Sequence, residues 1–178
     1  MKRIAILTII ALIAVSCKEV SFKEPQPKGI KPTVQIPTRL QGSYAIKDEK
    51  GVVNDTLVVT RKGFYARSQP KDYRPLSDSL IMKSYHGYYF INKDEHPEWV
   101  LRVVKQEANG DLSYMSMQYG EDFHGFLRRL SQEIPIDSTI QDAEKRYQID
   151  PSPKKLEELI DKGYFTKTVL KKINSVTK

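Results

Sequence analysis

Cysteine is almost missing from this sequence: its 178 residues hold one, Cys17. That excludes an internal disulfide framework and any cysteine-based zinc site within a single chain. Gly-rich phosphate loops of the G-x-G-x-x-G or G-K-[ST] kind are absent, as is a G-x-S-x-G nucleophile elbow. Histidine is scarce; His86, His96 and His124 form neither H-E-x-x-H nor H-x-H. The longest apolar run, Ile4 to Val15, has only Thr8 as a polar interruption. It falls short of the roughly 20 residues that a membrane-crossing helix needs. What is present is ordinary globular material, 39% hydrophobic and 10% aromatic with a mean hydropathy of -0.50. Wholesale disorder and collagen-like repeats are excluded, and the length suits one domain.

The N-terminus carries the sharpest signal. Met1-Lys2-Arg3 is a basic start, the apolar run follows, and Ala14-Val15-Ser16 gives a small-residue exit before Cys17. This is the arrangement of an export signal, and Ala14-Val15-Ser16-Cys17 resembles the lipobox of bacterial lipoproteins. The resemblance implies cleavage before Cys17, a diacylglycerol on its thiol and acylation of the new N-terminus. Ala14 departs from the leucine commonest at the first lipobox position. Two or more acyl chains anchor stably where one does not, at about 0.8 kcal/mol per buried CH₂. Lys18 stands where an aspartate tends to retain such proteins at the inner membrane, so the expected place is the bacterial cell envelope, at the outer membrane. Lys18-Glu19 also resembles, faintly, the charged surface-export signals of Bacteroidetes lipoproteins.

From this follows an expected division of the chain: a signal peptide over 1–16, a lipidated Cys17 with a Pro/Lys-rich tether to residue 38, a β domain with one helix over 39–150, and a basic helical appendage over 151–178. Pro25, Pro27, Pro32 and Pro37 favour extended, solvated backbone in the tether. At about 3.1 Å per residue it would reach roughly 65 Å, standing outside the core. Residues 39 to about 120 alternate short β-branched or aromatic runs with turn signals. Asn109-Gly110 is the strongest hairpin signal. The fold class expected is mainly β, an antiparallel meander of about seven to eight short strands, either barrel or sandwich, with short C-terminal helices. Gly42-Ser43-Tyr44 resembles the lipocalin G-x-W signature with Tyr in place of Trp, which makes the expected shape lipocalin-like. Phe123 to Leu130 has helical spacing. Ser152-Pro153 opens a second helix, Gly163 stops it, and Thr166 is expected to open a third with Val169, Leu170 and Ile173.

Charge excludes one class of partner. Removal of Lys2 and Arg3 with the signal would leave 27 basic residues against 22 acidic, a net +5. Residues 152–178 account for +4 of it, with seven lysines against three acids. A basic end of this kind suits a solvated helix face or an anionic surface rather than a nucleic-acid groove. No cofactor is called for.

The expected partners are the membrane, through acyl chains on Cys17, and either an envelope protein or a small apolar ligand. Tyr88, Phe90, Trp99 and Tyr114 fall on neighbouring strands, where alternate residues would line a barrel interior, and they form the candidate ligand pocket. The reading is non-catalytic. Its alternative is an envelope hydrolase in which His96, beside Glu95 and Glu98, or His124, after Glu121-Asp122, meets carboxylates in one cleft. Asp55-Thr56-Leu57, Asp78-Ser79-Leu80 and Asp137-Ser138-Thr139 resemble the acceptor motif of O-glycosylation in exported Bacteroidetes proteins, while Asp-Ser/Thr pairs also initiate turns.

Overall fold

The computed structural model describes residues 18–48, 50–119, 122–141 and 144–173. Cys17 and the signal segment lie outside the described residues. The fold is mainly β, and the strands exceed the seven or eight expected. They are β1 (Lys18–Phe22), β2 (Gly42–Lys47), β3 (Val53–Val59), β4 (Gly63–Ala66), β5 (Arg74–Pro75), β6 (Leu80–Tyr85), β7 (Tyr88–Glu95), β8 (Glu98–Gln106), β9 (Leu112–Ser116), β10 (Gln118–Tyr119), β11 (Asp137–Gln141), β12 (Glu144–Ile149) and β13 (Thr166–Ile173). Two α-helices, α1 (Phe123–Leu130) and α2 (Pro153–Asp161), complete the described elements. No helix among the described residues is long and apolar enough to cross a membrane.

Turn chemistry sets the hairpins. Asp48 Oδ1 accepts from the backbone N–H groups of Lys50 and Val52, at 2.9 and 2.8 Å, turning β2 into β3. His86 and Gly87 both adopt positive φ, 47° and 83°, which matches the twist of a two-residue hairpin between β6 and β7. Two antiparallel runs result, β2-β3-β4-β5 and β6-β7-β8-β9. β13 joins them: Thr166 to Leu170 pairs with β9, and Lys171 to Ile173 pairs with β2. The sheet is mixed because β1 runs parallel to β12.

The third expected helix is therefore a strand. Thr166, Thr168, Val169 and Ile173 are β-branched, a residue class that fits a pleated surface, and the free edges of β9 and β2 supply the ladder partners. Spacing alone did not separate the two states. α2 forms as expected: Ser152 Oγ accepts from Lys155 N at 3.2 Å, Pro153 opens the helix, and Gly163 follows it at φ 78°.

The curled sheet does not close into a barrel. Among the described strands β5 pairs only with β4, and β6 only with β7. The segment expected to be a free tether crosses this gap. Thr33 N donates to Met82 O on β6 at 2.7 Å, and Ile36 N donates to Arg61 O in the β3–β4 turn at 2.8 Å. Residues 18–38 thus do not stand off from the domain. Val20 and Phe22 are 0% and 1% exposed on β1. Gln26 is wholly buried and exchanges two hydrogen bonds with Asn92: Gln26 N donates to Oδ1 at 2.6 Å, and Asn92 Nδ2 donates to Gln26 O at 2.8 Å. The buried Lys83 donates to the carbonyls of Pro25 and Pro27, at 2.5 and 2.9 Å, and its burial lowers its pKa. Prolines removed donors, as expected, but left carbonyls that a buried lysine satisfies.

The sheet buries both faces. Its convex side packs Phe90, Leu101, Val103 and Met115 against β1, α1 and α2, including Phe126, Leu130, Leu156 and Leu159. Its concave side packs Tyr44, Met82, Tyr89, Val104 and Leu112 against Ile36 and Leu40. Each fully buried side chain of this size stabilises the fold by about 1.5–3 kcal/mol.

Candidate functional site

The concave side encloses a cavity of about 500 Å³. β2, β3 and β4 supply Ile46, Leu57, Val59 and Phe64 to its wall, and β6 to β9 supply Leu80, Ile91, Val100, Val104 and Leu112. β13 adds Leu170 and Thr168. Strand alternation delivers these side chains: on β7 the residues at 89, 91, 93 and 95 share one face, and on β8 those at 100, 102 and 104 do.

Residues 36–41 cover part of the cavity. Ile36 and Leu40 pack there against Tyr44, Tyr89 and Leu112. Tyr44 is fully buried, and its hydroxyl donates to Leu40 O at 2.9 Å; burial, with the Asp111 charge, holds its pKa above the usual phenol value. Arg39 lies over the Tyr89 ring at 5.0 Å and hydrogen-bonds the Tyr89 hydroxyl, while Gln106 Nε2 donates to Arg39 O at 2.6 Å. These contacts fasten residues 36–41 across the ends of β7 and β8.

Polar groups also line the cavity. Lys93 and Glu95 lie toward the end of β7 remote from Tyr89, Arg102 stands at the middle of β8 opposite Ile91, Thr168 is level with Tyr114, and Arg74 lines the wall from β5 opposite Phe64. Lys93 and Glu95 form an ion pair at 2.6 Å. The Arg102 guanidinium is bidentate on Glu19 of β1, with Nη2 3.0 Å from Oε2. Burial opposes its charge, yet the bonds to Glu19 and Tyr114 hold the Arg102 pKa above its ordinary value. Tyr114 sits beside this pair, its phenol pKa raised by burial against the lowering effect of Arg102. Because both ions are half-buried and paired, the rim carries polarity with little net charge.

Of the four aromatic residues proposed from sequence, Tyr114 alone lines the cavity. Phe90 is buried on the opposite face of β7, and Tyr88 and Trp99 pack against the same convex core. The four are divided between two faces because both faces of β7 and β8 are apolar. Alternation alone could not say which was concave. The aliphatic lining residues missed in the sequence, such as Leu57, Ile91 and Val100, had no signal beyond ordinary strand hydrophobicity.

The histidines are exposed and distributed. His86 is 2.8 Å from Glu157 Oε1, His96 lies in the turn at the opposite end of β7, and His124 is in the first turn of α1. No group of three or more His, Cys, Asp or Glu able to hold a metal ion occurs among the described residues. Asp78-Ser79 and Asp137-Ser138-Thr139 are exposed, whereas Thr56 is half-buried in β3. No protein-family model, curated protein or solved structure matches the chain.

Proposed function

We propose that the protein is a bacterial envelope lipoprotein, anchored by acyl chains on Cys17, whose β domain binds a small apolar ligand without catalysis. The observation that carries the binding reading is the cavity of about 500 Å³, walled mainly by aliphatic side chains with a few charged ones among them. Ligand pockets occupy about 300–1,000 Å³ and combine apolar walls with a few placed polar groups. The anchor rests on the lipobox resemblance. Lys18 in the position after the cysteine favours the outer membrane. Exposed, separated histidines give the hydrolase alternative no support.

The anchor is tested by fractionation. Cys17→Ala is expected to release the protein from membranes and to abolish incorporation of radioactive palmitate. A variant that stays membrane-bound, or a wild type that takes up no label, contradicts the anchor. The ligand is tested by native mass spectrometry of the protein purified from its membranes. A discrete added mass of small-molecule size supports binding.

A second reading, an accessory subunit of an envelope assembly, is favoured by one feature. Among the described residues β11 pairs only with β12, and it exposes Ile140 at 80%, an edge of the kind that accepts a partner strand. Pull-down from detergent-solubilised membranes separates the two, since a protein partner co-purifies under native conditions and a small ligand does not show as a second chain.

A further inference from the structure

The wall and the mouth of the cavity ask for different chemistry. The lining is mainly aliphatic, with Phe64 and Tyr114 its two aromatic residues. Flat ring ligands are held by aromatic stacking, which this wall offers little of. A flexible aliphatic chain is matched by branched aliphatic side chains on all sides. Lys93, Glu95 and Arg102 hold neighbouring positions on one face of β7 and β8, and the mouth is placed there; Arg74 lines the wall separately, on β5 opposite Phe64. A ligand that satisfies both has one apolar tail and one polar head. Arg102 and Lys93 are already paired with Glu19 and Glu95, so the rim presents donors and acceptors in balance. That suits a small hydrogen-bonding head rather than a multiply charged one.

The mouth also has a fixed relation to the proposed anchor. Glu19, whose carboxylate holds Arg102, is two residues after Cys17. Two residues span at most about 7 Å. β1 is built into the sheet, so no spacer separates the acylated residue from the mouth.

We infer that the cavity takes the tail of a single-chain amphiphile, such as a fatty acid or a lysolipid, entering from the bilayer in which Cys17 is anchored. The tail points toward Leu40, and the head stays between Arg102 and Lys93. This deepens the binding reading and depends on the anchor for the direction of entry.

Photo-crosslinking in isolated membranes tests it. The full-length protein is irradiated with a free fatty acid carrying a diazirine in its chain, and in a parallel arm with the same acid incorporated metabolically into the anchor. Adducts of the free acid are expected on peptides of β3, β8 and β13. Leu57→Trp, which fills the cavity, is expected to reduce them about tenfold, equivalent to about 1.4 kcal/mol of binding. The wild-type adduct map stands without the variant, and circular dichroism shows whether the variant folds. Adducts confined to the outer surface, for example at Ile140, overturn the inference. So does a crosslink between the acylated N-terminal peptide and the cavity in the second arm, which would make the protein's own anchor the occupant. Cavity adducts in a Cys17→Ala protein that remains membrane-bound would uphold the amphiphile and discard the anchor.

Discussion

Phe22 decides between a tether and a strand at the level of one side chain. It is 1% exposed, lies opposite Trp99 across the β1–β8 ladder and belongs to the convex core. Phe22→Ala is expected to lower the stability measured by urea unfolding by about 3–5 kcal/mol; a residue on a free spacer would cost almost nothing. Asp111 makes a different kind of claim. Its carboxylate accepts from Lys171 Nζ at 2.8 Å, from the backbone N–H of Lys172 at 2.9 Å and from Asn109 Nδ2 at 2.9 Å, tying the β8–β9 loop to β13. The Lys171 bond, foremost, holds its pKa below the usual carboxylate value. The unfolded chain therefore binds the proton first as pH falls, so the stabilisation is complete above about pH 4 and is lost through the depressed folded-state value. Asp111→Asn is expected to be less stable than wild type at pH 7, with the difference shrinking as pH falls below about 4. Urea midpoints of the two proteins at pH 7 and pH 3 check this.

At the scale of elements, much was legible where local chemistry and tertiary need agree. The β2–β9 hairpins follow from Asp48, His86-Gly87 and Asn109-Gly110, and α1 and α2 from their apolar spacing and the Ser152-Pro153 start. Legibility failed where a distant partner decides. Thr166 to Ile173 reads as a short helix in isolation and becomes a strand because β9 and β2 each lack a neighbour. Residues 18–38 read as a spacer because prolines and lysines dominate them, and the buried Lys83 that receives their carbonyls lies more than fifty residues away. Val169→Ala separates helix from strand at β13. Alanine gains a few tenths of a kcal/mol over valine in a helix. In a strand it loses up to about 1 kcal/mol. A loss in thermal or urea stability is expected, together with strand-type Cα chemical shifts across 166–173.

For the whole molecule, the sheet is best regarded as two antiparallel runs spliced by β13, strapped across their gap by residues 31–36, with Ile36 and Leu40 packed on its concave face. Its cavity was foreseeable as a possibility of curled antiparallel sheets. Its lining was not, since apolar residues cover both faces of β7 and β8 and only the helices and β1 define which face is convex. The proposed anchor adds a direction, because Glu19 joins the mouth to the start of the domain. The claim on which this account turns is that the cavity admits an apolar ligand. Fluorescence titration of the full chain with cis-parinaric acid, a single-chain polyene fatty acid, compared with Leu57→Trp, tests it most directly. Saturable enhancement at one probe per chain, lost in the folded variant, is the expected result. Absence of saturable binding, or equal binding by both proteins, would contradict the claim.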